Sequence, residues 1–133
     1  GGTIEVWGDG LQTRSFLFVD ECVEATYRLV QSDFTGPVNI GSEEMVSINQ
    51  LVDIAAKVAD KEVEKNHIDG PLGVRGRNSN NDLIREKLDW DYTMTLEEGI
   101  KKTYDWINEE QLGNKKVTHK ISPFRRFMEW MDK

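Results

Sequence analysis

Apolar positions along this chain follow two periods, and the change from one to the other marks its elements. Residues 3–7, TIEVW, alternate apolar and polar side chains, the two-residue repeat of a half-buried strand. After the turn Gly8-Asp9-Gly10, the β-rich run SFLFV at 15–19 predicts a second short strand. From Val19 the apolar or small positions are 19, 22, 23, 26, 27 and 30, an i, i+3, i+4 stripe that predicts a helix over 20–32 capped by Asp20. PVNIGS at 37–42 is apolar without alternation until Gly41-Ser42, the pattern of a strand buried on both faces of a parallel sheet. Ser47 followed by Gln50 is a capping-box signature, and Ile48, Leu51, Val52, Ala55 and Ala59 form the next stripe.

The second half continues the alternation. Residues 62–68 read as a strand and 70–79 as a loop rich in Gly and Arg. Leu83, Ile84, Lys87 and Leu88 predict a short helix ending near Trp90. Thr95 and Glu98 form another capping box, opening a helix with Leu96, Ile100, Thr103, Tyr104 and Ile107 inward. After residue 110 the chain turns polar and basic, which predicts a linker over 111–121. Ser122 and Pro123 then open a terminal amphipathic helix, 122–133, with Phe124, Phe127, Met128 and Met131 on one face. That face packs on its own protein or a partner subunit; contact with a membrane surface is the alternative. Trp7, Trp90, Trp106 and Trp130 fall at element ends and read as core or interface residues. Strands interleaved with helices make the class α/β.

Composition narrows the partners. At 133 residues the chain is about one domain long. No window approaches the ~20 apolar residues of a membrane span. Seventeen basic residues against 24 acidic ones give a formal charge of −7, which opposes general adhesion to nucleic acid or anionic lipid. An anionic ligand would have to be held by local arginines and backbone donors. The single cysteine, Cys22, cannot form an internal disulfide, and its place on the helical stripe predicts a buried packing thiol. With no signal-peptide pattern at the start, the cytosol is the expected compartment. The opening Gly1-Gly2-Thr3, running almost at once into a strand, predicts a piece of something longer.

Candidate chemistry is concentrated in two loops. GPLGVRG places Gly70, Gly73 and Gly76 at the spacing of a dinucleotide fingerprint. Its context argues against that use: the preceding VEKNHI is polar, Pro71 removes an amide, and no second buried strand follows. Arg75 and Arg77, one residue apart beside glycines, suit phosphate oxygens, as does Arg14 at the entry to an apolar run. A solvated loop, or pairing of Arg14 with Asp9 or Asp20, is the competing reading. His67 and His119 lack metal-ligand spacing, and no Tyr-x-x-x-Lys occurs.

Taken in order, EVWGDGLQTRSFLFVDECVEA, PVNIGSEEMVSINQL, GPLGVRGRNSNNDLIREKLDW and TLEEGIKKTYDWI resemble the C-terminal portion of extended short-chain dehydrogenase/reductases. These are the NAD-dependent sugar-nucleotide epimerases and dehydratases. GDGLQTRSF, VNIGS and VRGRNS look most like the branch that epimerises GDP-mannose. The match covers residues 3–110 and implies a small substrate-binding domain plus the last strands and helices of a Rossmann-like domain. It implies that Arg14, with Gln12, lines one wall of a diphosphate site, and that Arg75, Arg77 and Ser79 line the other, with the choice between Arg75 and Arg77 open. The implied parent is a homodimer that binds NAD through its other half, oxidises the hexose at C4, epimerises C3 and C5, and returns the hydride. Catalytic and NAD-binding residues would lie in that half, so the 133-residue chain alone is expected to be inactive. The alternatives are another nucleotide-sugar epimerase, dehydratase or decarboxylase, or a non-catalytic binding module. Two departures stand out: Asn80 where the family usually has aspartate, and Asp89 where glycine is common before Trp90.

Overall fold

The computed structural model describes residues 1–71 and 73–110. The linker expected at 111–121 and the terminal helix expected at 122–133, with His119 and Trp130, lie outside the described residues. The elements are β1 (Gly2–Trp7), β2 (Thr13–Ser15), α1 (Val19–Gln31), β3 (Met45–Ser47), α2 (Ile48–Val58), β4 (Val63–Ile68), β5 (Gly76–Arg77), α3 (Asp82–Leu88) and α4 (Leu96–Glu110).

Two small sheets result. β1 and β4 pair in parallel from Gly2↔Val63 to Trp7↔Ile68, and Gly8 N–H extends the ladder by donating to Ile68 O at 2.8 Å. In the second sheet β2 is central, antiparallel to β3 and parallel to β5. Both capping boxes form: Ser47 and Gln50 exchange side-chain and backbone bonds at the start of α2, and Thr95 and Glu98 do so before α4. Each satisfies two of the amide donors that a helix start leaves unpaired.

Four expectations are corrected. The run 15–19 is not a strand: the ladder covers 13–15, and Val19 already begins α1. The residue before α1 is Phe18, which makes no side-chain cap bond, while Asp20 lies in the first turn, where its charge suits the helix dipole. Residues 37–42 form no ladder, because no described strand lies beside them. Their Val38 and Ile40 pack instead on the cluster of Ala25, Ile84 and Trp90. Cys22 is exposed, as are Val19 and Val30. α1 buries Glu21 and Ala25, so its inward face is rotated from the apolar stripe.

Hydrogen bonding to Glu21 accounts for that rotation. One carboxylate oxygen of Glu21 accepts from Thr93 N at 2.6 Å, Thr93 Oγ1 at 2.8 Å and Met94 N at 3.0 Å. These bonds tie α1 to the segment before α4 and place the fully buried Ala25 against the core. At the end of α3, Asp89 adopts φ +47°, and its N–H donates to Arg85 O.

Candidate functional site

The second sheet places two arginines side by side. Arg14 at the centre of β2 is the register partner of Arg77 in β5, and both face a groove of about 300 Å³. Ser15, Leu17, Asn39, Gly41, Asn78 and Ser79 complete most of its wall. Arg14 is aimed by the backbone: its guanidinium donates to Thr13 O at 2.7 Å and to Val74 O at 2.6 Å. Among the described residues no carboxylate pairs with Arg14, and the Arg77 side chain makes neither a hydrogen bond nor an ion pair. Two unneutralised guanidiniums opposite each other repel. An anion between them removes the repulsion and supplies acceptors in the geometry that guanidinium forks match.

Arg75 behaves differently. Its guanidinium donates to both carboxylate oxygens of Asp9 at 2.9 Å, and Arg75 is absent from the groove wall. Asp9 also accepts from Leu11 N, and that bond and Arg75 together hold its carboxyl below the usual range. Neither Asp9 nor Asp20 pairs with Arg14. Gln12 lies outside the groove: its amide donates to Trp7 O at 3.1 Å, and its buried Oε1 has no partner among the described residues.

The opposite wall is built on Asn81, which is fully buried. Its side chain donates to Gly41 O at 2.7 Å and accepts from Ser79 Oγ at 2.7 Å, and its N–H donates to Glu43. These bonds press residues 37–42 onto 78–81. Contact is so close at Gly41 that a Cβ there would lie 2.6 Å from Ser79 Cβ. Asn80 serves in place of aspartate, its side-chain oxygen accepting from Asp82 N at 2.9 Å.

Sequence reasoning missed the cluster beneath this wall. Arg85 on α3 binds Glu43, Asp82 and Asp91. Its hydrogen bonds draw the Glu43 and Asp91 carboxyls below their ordinary values, and those two acids raise Arg85. The cluster is saturated, so it fixes the loop and offers no open position to a ligand. Only its local part, Asp82 to Arg85, had a readable spacing.

The glycines of GPLGVRG do not form a phosphate cradle. A Cβ at Gly70 would lie 2.7 Å from Trp7 Cγ, Gly73 has φ +59°, and Gly76 packs on Thr13 across the β2–β5 pair. Gly70 and Gly76 serve close packing and Gly73 a turn, so this triplet is not arranged as a dinucleotide fingerprint. No group of three or more metal-ligating side chains occurs among the described residues, and no described helix is long and apolar enough to cross a membrane.

Residues 2–103 match the family described as GDP-mannose 4,6 dehydratase. The chain is 59% identical over 106 residues to GDP-mannose 3,5-epimerase 1 of Oryza sativa subsp. indica, and 58% identical over the same length to GDP-mannose 3,5-epimerase of Arabidopsis thaliana. Each match takes in 80% of this chain and 28% of the relative, so the chain spans less than a third of the length of these relatives. Among solved structures it is similar to the UDP-glucose 4-epimerase of Thermotoga maritima with UDP-glucose, with a TM-score of 0.75 and 26% identity over 80% of this chain and 35% of that one. A UDP-glucuronic acid 4-epimerase of Bacillus cereus, in complex with UDP-glucuronic acid and NAD, gives a TM-score of 0.73 and 26% identity over 83% of this chain and 36% of that one.

Proposed function

On the premise that the chain belongs to the GDP-mannose 4,6 dehydratase family, among the extended short-chain dehydrogenase/reductases, we propose that its groove is the diphosphate-binding wall of a GDP-mannose 3,5-epimerase-like enzyme. The observation that carries this reading is the Arg14–Arg77 register pair facing one groove without a counter-ion among the described residues. Two phosphates bridged by one oxygen supply two negative charges within reach of guanidiniums on neighbouring strands. Arg14 is held by two carbonyls before any ligand arrives, so little side-chain freedom is lost on binding. Asn39, Asn78 and Ser79 add amide and hydroxyl groups to the same groove.

In this reading the chain holds the substrate by its nucleotide handle. Binding energy gathered there, remote from the sugar, orients the hexose for groups outside the described residues. NAD would supply the redox chemistry of such an enzyme, and the Gly70–Gly73–Gly76 triplet is not arranged to hold it. The 133-residue chain therefore binds nucleotide and leaves GDP-mannose unchanged.

The test is calorimetry with GDP-mannose, GDP and UDP-glucose on the wild-type chain and on Arg14→Ala. GDP-mannose and GDP should bind more tightly than UDP-glucose, and the substitution should weaken binding about ten- to a hundredfold, the scale of a lost charge-assisted contact. A preference for UDP-glucose would favour a UDP-sugar enzyme, a reading motivated by 32% identity to UDP-glucuronic acid decarboxylase 1 of Arabidopsis thaliana. Equal weak heats from all three, unchanged by the substitution, would sink the diphosphate assignment.

A further inference from the structure

The β2–β5 pair has only two register pairs, Thr13↔Gly76 and Arg14↔Arg77. One of the two sets like charges opposite each other, an unfavourable contact in any sheet. So short a ladder with an internal repulsion needs support from outside itself. Three contacts immediately before β5 supply it: Thr13 N–H donates to Arg75 O at 2.9 Å, Arg14 reaches Val74 O, and the Arg75 guanidinium grips Asp9. Asp9 is rigidly placed, because its carboxylate also closes the turn at Leu11 and its carbonyl accepts from Asn49 Nδ2 at 3.0 Å.

We propose that the Asp9–Arg75 ion pair is a latch that holds β5 in register against β2 and thereby sets Arg77 beside Arg14. Arg75 is then a positioning residue of the groove and Arg77 its ligand. Residues two apart along an extended chain share a face, so a simple strand through 75–77 would send both arginines into the groove. Asp9 draws Arg75 away instead, and the groove gains one cation from this loop.

The inference rests on the reading of the groove as an anion site only for its effect on binding; the latch itself is a property of the unliganded chain. Its test is amide hydrogen exchange at Thr13, whose N–H bonds Arg75 O, in the full chain without ligand. Arg75→Gln and Asp9→Asn should each speed exchange at Thr13 about two- to fivefold, the scale of a surface ion pair. The double variant should be no faster than either single one, and Arg75→Lys should restore protection. GDP binding should weaken in parallel in Arg75→Gln and recover in Arg75→Lys, whereas Arg77→Gln should abolish binding and, by removing the repulsion across the pair, leave exchange at Thr13 no faster than in the wild type. Unaltered exchange in Arg75→Gln, or additive effects of the two substitutions, would overturn the latch. Failure of the wild-type chain to bind GDP would overturn the anion site and leave the exchange result to decide the latch by itself.

Discussion

At the scale of single residues, the groove depends on positions where one atom more or less is felt. Asn81→Ala leaves Gly41 O without its buried donor and Ser79 Oγ without its acceptor. It should lower unfolding free energy in urea by about 1–3 kcal/mol. Gly41→Ala should be destabilising for the opposite reason, since its Cβ falls on Ser79, and a melting temperature equal to wild type would contradict the packing described. The three arginines show what the chain's wording can reveal. Their suitability for phosphate was legible in VRGRNS and TRSF, but their different uses were not. Arg75 is taken by Asp9, 66 positions away, and no local pattern encodes that pairing.

At the scale of elements, capping boxes were read correctly because their two partners lie within one turn, and the chemistry is complete in four residues. The face of α1 was not, because it is chosen by contacts with Thr93, Met94, Ile84 and Trp90, all distant in sequence. Residues 37–42 were misread for a related reason: apolar character fixes burial, but a strand also needs a ladder partner. Asp89 offers a test of local strain at the end of α3. It holds φ +47°, a conformation that glycine adopts without steric penalty, so Asp89→Gly should raise stability by about 1 kcal/mol in chemical denaturation.

The cluster around Arg85 gives that element a pH dependence with a definite sign. Glu43 and Asp91 lie below their ordinary values of 4.5 and 3.8 in the folded chain, chiefly through hydrogen bonds from Arg85. Groups depressed by folding add stability above the unfolded values and lose it as pH falls through the folded ones. The urea midpoint should therefore drop on acidification below about pH 4.5, and Arg85→Met should flatten that acid limb.

At the scale of the whole molecule, an apolar groove of about 530 Å³ runs between Phe16, Leu51, Leu96, Ile100 and Tyr104. Its α4 side was legible in the stripe of Leu96, Ile100, Thr103, Tyr104 and Ile107, although the groove itself was not. Open apolar surface of this kind binds hydrophobic dyes, so anilinonaphthalene sulfonate should fluoresce with the native chain, and Leu51→Lys should suppress the signal. Titration with NAD should give no saturable heat, because Gly70, Gly73 and Gly76 are committed to packing and turns.

The unneutralised Arg14–Arg77 pair also has a thermodynamic consequence. Repulsion between its members weakens the β2–β5 pairing, and an anion between them converts that repulsion into attraction on both sides at once. Occupancy and local folding are thus one linked equilibrium, in which ligand works as a fastener of the strands as well as cargo. At a hundred times its Kd, a ligand confined to the folded chain adds about 2.7 kcal/mol to stability. Much of that gain should appear at β2 and β5, as slowed amide exchange along the pair.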